Sequence, residues 1–413
     1  MIILKNHDYK FLSRWLSISF LNLFLVAGLG LILRYKIAFY LPFIDQKFFL
    51  HSHSHFAFSG WISQTLMVLL IHNLSSNIGE QILKKYRWLL IANLITAYGM
   101  LISFIIQGYA FFSISFSALS ILVSWIFAFY YWKDINRMKE NKVSFYWYKA
   151  ALAFNILSSV GTFLITYMMI NKVIDQNWYL ASIYFFLHFQ YNGWFFFAGM
   201  GLLVSRLEII NSAVKNLKTT FLLFSFACIP TYFLSVLWFP FPRIIYALIV
   251  VAVIAQLGGL LLLIKVFIKE KLFINQHFSK FGKIILLLSS IALTIKLLLQ
   301  SGSLHPALSQ LSYGFRPIII GYLHLVLLAV ISVFIIGYII SFELITVTKK
   351  LLTGVFIFIA GIIINELLLM VQGVAALNYI SIPYINILLL IAAVILLVGT
   401  GQMFINLLNK KQQ

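Results

Sequence analysis

The heptapeptide HFAFSGW at residues 55–61 returns as HFQYNGW at residues 188–194. Both copies keep the histidine, the phenylalanine, a second aromatic ring, a small polar residue and the Gly-Trp pair in one frame. A weaker echo, GYLHLVLLAV at residues 321–330, carries His324. The three histidines lie 133 and 136 residues apart. Repetition at a fixed period determines the architecture of a chain, and here it predicts three similar parts.

The composition identifies the class of protein around this repeat. Of 413 residues, 62% are hydrophobic and only 10% are charged, whereas soluble domains have about a quarter of their residues charged. The chain is therefore expected to be a polytopic membrane protein. Its one cysteine, Cys228, excludes a disulfide framework and covalent haem attachment through a Cys-x-x-Cys-His motif.

Apolar segments long enough to cross a bilayer, about 20 residues each, recur twelve times. The predicted spans cover residues 14–34, 49–73, 87–108, 110–132, 146–170, 178–203, 219–239, 244–268, 282–300, 317–341, 351–372 and 384–408. The first is expected to be retained as a helix because no small-residue cleavage site follows it. We expect one all-α transmembrane domain over residues 1–413, with three four-helix arcs as pseudo-repeats at about 1–132, 146–268 and 282–408.

The lysines and arginines predict the orientation of these spans. With the N-terminus inside, 23 of the 30 basic residues fall on the inner side. This asymmetry follows the positive-inside rule and predicts that both termini are cytoplasmic. The net charge of +20 is thus explained by basic residues that orient the spans in the membrane, and nucleic acid is not expected as a partner.

The three repeated histidines fall on the second, sixth and tenth predicted spans, each near the end that enters from outside. Ionisable residues inside a membrane are costly and indicate function. Imidazole suits iron, copper and zinc, and two imidazoles from facing helices can hold a haem inside a helix bundle. The second span carries His51 and His53 besides His55, so its ligating histidine stays open at this stage.

In this plan the chain resembles subunit I of the haem–copper oxidase superfamily, which includes cytochrome oxidases and nitric oxide reductases. The likeness extends over the whole chain: twelve helices, inner termini, three arcs, and histidines on helices 2, 6 and 10. The resemblance implies a low-spin, b-type haem held by His55, or His53, together with His324. It also implies a metal at His188, either copper or a second iron, with Tyr191 close to it.

Departures from the family limit the expected chemistry. The seventh span has no histidine pair, and the tenth has only His324, so a complete oxygen-reducing centre cannot be assembled. The family's paired arginines, which hold haem propionates, are missing from residues 373–383. Arg316 and Lys296, both on the outer side, are candidate substitutes. The twelve-helix haem- and copper-containing proteins linked to nitrosative stress (NnrS type) resemble the chain more closely, since they also open with a His-x-His segment.

Two further intramembrane residues are candidates. Glu366, the only acid deep in a predicted span, suits a proton relay or a ligand hydrogen bond, or it pairs with Asn365 to hold helices together. Lys296 is expected to extend toward the outer interface rather than to contact a haem. His188, Tyr191 and Glu366 are therefore the catalytic candidates.

Three functions remain open from the sequence. The first is haem-based electron transfer, or nitric oxide or oxygen chemistry by an oxidoreductase, in the bacterial inner membrane. Its partners would be a quinol or an electron-donor protein and a small gas ligand. The second is a transporter in which His51, His53 and His55, alternating along an extended segment, point to one side and capture a divalent metal. The third is a structural or assembly protein without a cofactor.

Overall fold

The structure is a computed structural model that describes residues 6–138, 140–305 and 316–409, and these ranges contain helices and connections but no strand. Helices suit a membrane protein because each satisfies its own backbone hydrogen bonds in lipid. Twelve long helical runs occur within these described ranges, with a short helix, Lys271–His277, between the eighth and ninth. The runs are α1 Asn6–Ala38, α2 Gln46–Ile78, α3 Gln81–Gln107, α4 Phe111–Arg137, α5 Val143–Ile170, α6 176–207, α7 Ser212–Val236, α8 Arg243–Lys269, α9 Lys280–Gly302, α10 Arg316–Ser341, α11 Lys349–Leu377 and α12 Ile385–Asn409.

Eleven of these described helices are long and apolar enough to cross a membrane. The protein is thus a multi-pass helical membrane protein whose apolar helices are compatible with contact to a lipid bilayer. The predicted span 178–203 lies in α6, a continuous run of 13, 7 and 12 residues that does not reach the same hydropathy. Its repeat motif places His188, Gln190 and Asn192 in the middle of the helix, and these polar side chains lower its mean hydropathy.

The two helices that carry the clearest repeat also begin in the same way. An Asp side chain caps each: Asp45 accepts from the backbone N–H groups of Lys47 and Phe48, at 2.8 and 3.0 Å. At the start of α6, Asp175 accepts from two backbone N–H groups, at 2.9 and 3.1 Å. Such caps satisfy amides that have no partner within the helix. The cap at Asp45 fixes the start of α2 and so the rotation at which its histidines emerge.

A π-helical segment follows each of the three repeated histidines. The segments are Ala57–Ser63 in α2, Phe189–Phe195 in α6 and Leu325–Ser332 in α10. Their wider turns leave backbone carbonyls free for other donors. In α2 the Asn22 side chain donates to the carbonyl of Gly60 at 2.6 Å, and the Asn93 side chain donates to that of Ser59 at 3.1 Å. The sequence repeat thus corresponds to a repeated irregularity of the backbone.

The chain divides into two compact units. The first comprises Met1–Val123, Ser279–Ser289 and Phe315–Gln413, and the second comprises Ser124–Phe278 and Ser290–Gly314. The histidines of α2 and α10 belong to the first unit, and His188 belongs to the second.

Within the first unit, one hydrogen bond joins two of the π-helical segments. The indole N–H of Trp61 donates to Ser332 Oγ at 2.8 Å, and both residues are buried. We expect Trp61→Phe to lower the free energy of unfolding by about 1 kcal/mol, because the serine loses its donor. Equilibrium unfolding in mixed micelles of Trp61→Phe, Ser332→Ala and the double variant measures the coupling energy between Trp61 and Ser332. If the two single effects add up fully in the double variant, the bond contributes nothing.

Candidate cofactor site

The histidines at 51, 53 and 55 do not share a face. Residues Gln46–Phe56 are α-helical, so positions two apart lie about 200° apart around the axis. The prediction of an extended segment with three imidazoles on one side is therefore wrong. His51 and His55, one turn apart, contact the end of α3, whereas His53 points to α1.

His53 lies against a groove on α1. Its Nδ1 is 3.1 Å from the carbonyl oxygen of Val26. One turn later, Gly30 makes room for the ring, because a Cβ at this position would lie 3.3 Å from Cε1 of His53. Since a carbonyl can only accept, Nδ1 carries the hydrogen and Nε2 keeps its lone pair.

His324 is held in the same way by its own helix. Its Nδ1 donates to the carbonyl oxygen of Ile320 at 2.8 Å. Among the described residues, neither His324 Nε2 nor His53 Nε2 forms a hydrogen bond. An Nδ1–H bonded to a backbone carbonyl is the usual second contact of a metal-ligating histidine, because it fixes the tautomer and the ring orientation.

Charged side chains surround the two imidazoles. His324 interacts electrostatically with His53 and Arg34. Arg34 in turn interacts with Arg316 and with Glu366. Sequence reasoning placed Arg34 on the outer side but did not assign it to the site. Its signal was the spacing from Val26 and Gly30, which puts all three on one stripe of α1.

Glu366 is partly buried on α11 and accepts a hydrogen bond from the Asn365 side chain at 3.1 Å. The pairing with Asn365 that the sequence suggested is thus present. The interaction of Glu366 with Arg34 also brings this carboxylate into the group of His53, His324 and the two arginines.

The residues present fit a haem with two axial imidazoles. Two neutral rings carry available Nε2 atoms, and two guanidinium groups supply bidentate donors for propionates. No residue between Arg316 and His324 is fully buried, so this part of α10 remains accessible to a ligand. Among the described residues, no three or more His, Cys, Asp or Glu side chains cluster as a metal site.

His188, in the second unit, occupies a different environment. It is buried, its Nε2 donates to the carbonyl oxygen of Cys228 at 2.8 Å, and its Nδ1 accepts from the Asn192 side chain at 3.1 Å. Tyr191, also buried, has its ring centroid 6.3 Å from that of His188. Both ring nitrogens of His188 are thus engaged within the protein. A metal at this position stays a prediction and would have to displace one of these bonds.

Lys296 extends the polar network around His188. Its ammonium donates to Asn192 Oδ1 and to Gln300 Oε1, both at 2.6 Å, and the side chain is buried. The Gln300 side chain in turn donates from Nε2 to Gln256 Oε1 at 3.2 Å. The expectation that Lys296 extends to the interface was wrong, because side chains distant in sequence supply oxygen acceptors inside the unit.

No protein-family model matches this sequence, and no curated protein is significantly similar to it. The case for a function therefore depends on the residues described above.

Proposed function

We propose that the protein is a haem-binding membrane protein built on the plan of haem–copper oxidase subunit I. It has twelve spans, cytoplasmic termini and a place in the bacterial inner membrane. One b-type haem would be held without a covalent link by Nε2 of His53 and Nε2 of His324. One observation carries the proposal: in each of these histidines Nδ1 is bonded to a backbone carbonyl, which leaves Nε2 available as a ligand.

This proposal assigns the haem to His53, although His55 is the histidine that aligns with His188 in the sequence repeat. His55 lies on the opposite side of α2, where its Nε2 is 3.0 Å from the Tyr109 hydroxyl. His53 instead interacts with Arg34, as His324 does. A common charged neighbour supports the pairing of His53 with His324.

The remaining residues have separate roles in this proposal. Arg34 and Arg316 hold the two propionates, and Gly30 keeps the His53 ring against α1. Glu366 offsets part of the positive charge near Arg34 and is a carboxylate that could take up a proton there. Bound haem supplies one-electron chemistry, so we assign the protein to electron transfer, with a quinol or a donor protein as its reductant.

Nitric oxide or oxygen is a candidate ligand of a second metal, copper or iron, at His188 and Tyr191. The two hydrogen bonds of His188 argue for a structural role in the absence of such a metal. The transporter alternative required three imidazoles on one side, which the helical conformation of α2 does not provide.

The axial ligands can be tested by electron paramagnetic resonance of the oxidised protein. We expect a six-coordinate, low-spin signal with nitrogen ligands on both sides of the iron. A five-coordinate, high-spin signal as the only haem species would contradict the two-histidine assignment.

Replacing Arg34 by glutamine tests the proposed propionate contact. Removal of a positive charge stabilises the oxidised haem, so the midpoint potential should fall. The decrease should be on the order of 70 mV for a unit charge roughly 10 Å away at an effective dielectric constant of about 20. Spectroelectrochemical titration measures this shift. The control is Lys36→Gln, also on α1, whose ammonium donates to the Leu41 carbonyl. Equal shifts in both variants would contradict a specific role for Arg34.

A further inference from the structure

His51 and His55 are the two histidines of α2 that the haem proposal leaves without a role. They lie one helical turn apart and contact the same two aromatic side chains. The ring of His55 stacks on that of Phe104 with centroids 4.5 Å apart, and the ring of His51 meets that of Tyr109 edge-on at 4.6 Å. Nε2 of His55 is 3.0 Å from the Tyr109 hydroxyl oxygen. Two imidazoles and a phenolic oxygen thus meet at one place.

The backbone after α3 brings Tyr109 to these histidines. Gly108 ends the helix with φ 60° and ψ −141°, a conformation that only glycine adopts readily. A Cβ at this position would also overlap the ring of Phe48 on α2. The close approach places the hydroxyl of Tyr109 beside His55, while 46% of the Tyr109 side chain stays exposed. A small ion can therefore reach the cluster.

The charges around the pair come from the start of α2. Asp45 and Lys47 both act electrostatically on His51. The carboxylate of Asp45 also caps the helix through Lys47 and Phe48. These opposite charges leave no strong local barrier to a cation.

We propose that His51 and His55, with the Tyr109 hydroxyl as oxygen donor, form a binding site for a divalent first-row transition metal. Histidines four residues apart on one helix face are the spacing with which helices chelate such ions. Imidazole nitrogen with an oxygen donor favours copper(II) most strongly among them. The site lies on the opposite side of α2 from His53 and does not depend on the haem proposal.

The test uses Cu²⁺ added to the full-length, detergent-purified protein without a histidine tag. Competition with a chromophoric chelator measures affinity, and electron paramagnetic resonance counts the nitrogen ligands. We expect about one Cu²⁺ per chain with imidazole nitrogen coupling. His51→Ala should weaken binding more than about tenfold, since even loss of a residue that merely supports a ligand costs 10–100-fold. Absence of binding, or an unchanged affinity in His51→Ala, would overturn the proposal.

His277→Ala is the matched control, because it removes an exposed imidazole on the short helix Lys271–His277 and leaves both proposed sites intact. Its Cu²⁺ affinity should stay within about twofold of the parent protein, and an equal loss in both variants would overturn the proposed donor set. Retained haem in His51→Ala, or a retained unfolding transition if the protein is colourless, shows that the variant folds. A colourless protein that still binds Cu²⁺ through His51 would remove the haem proposal and leave this one standing.

Tyr109→Phe tests the oxygen donor while keeping the aromatic ring. Cu²⁺ affinity should fall several-fold, with the nitrogen coupling retained. An unchanged affinity in this variant would overturn the place of Tyr109 among the donors.

Discussion

His53→Ala is expected to yield a protein with almost no bound haem, and His324→Ala should do the same. Each substitution removes one of the two imidazoles that the proposal assigns to the haem. The Nδ1 bonds to the Val26 and Ile320 carbonyls show how each ring is held. Haem per chain, measured by the pyridine haemochrome method on purified variants, should fall from close to one to less than about a tenth.

His55→Ala is the decisive control for this prediction. His55 is the histidine that matches His188 in the sequence repeat, which favours it as the ligand. The helical conformation of α2 instead turns His53 toward α1 and the charged residues near His324, which favours His53. The His55 variant should keep its haem and its low-spin spectrum, because its ring faces Phe104 and Tyr109. Loss of haem in His55→Ala with retention in His53→Ala would reverse the assignment.

Asn192→Leu is expected to destabilise the second unit strongly. The Asn192 side chain accepts from the Lys296 ammonium and donates to Nδ1 of His188. Leucine of similar size would leave the buried ammonium with Gln300 as its one remaining acceptor among the residues that the structure describes. We expect the free energy of unfolding to fall by about 3 kcal/mol, the scale of an uncompensated charge in a membrane helix.

Two comparisons separate this electrostatic cost from simple loss of packing. Gln190→Leu removes another buried amide of the same π-helical segment, which donates to Asn155 and Ser158. It should cost only about 1 kcal/mol, since no charge is exposed to apolar surroundings. Adding Lys296→Met to Asn192→Leu should recover part of the lost stability. Unfolding in mixed micelles measures all three variants, and equal costs for the two leucine substitutions would contradict this explanation.

The sequence was sufficient for the class of fold and for much of the helix plan. Hydropathy predicted the helices, and eleven of those in the described part of the chain are long and apolar enough to cross a membrane. Periodicity in the HFAFSGW and HFQYNGW stretches identified related helices, but it could not reveal that a π-helical segment follows each histidine. That irregularity depends on side chains such as Asn22 and Asn93, which approach the backbone from elsewhere in the chain.

The site was only partly predictable for similar reasons. His53 and His324 were both candidates, but the choice of His53 depended on the helical phase that follows the Asp45 cap. The place of Arg34 and the burial of Lys296 depend on contacts between segments distant in sequence. The spacing along α1 places Arg34 beside Val26 and Gly30, but a single sequence does not show which distant segments contact that stripe.

The most direct test of the central claim is a reduced-minus-oxidised spectrum of the purified protein, expressed with ample haem, together with its haem content. We expect a sharp α-band at the position of a b-type haem, close to one haem per chain, and no change when carbon monoxide is added to the reduced protein. A colourless protein under these conditions would contradict the proposed function.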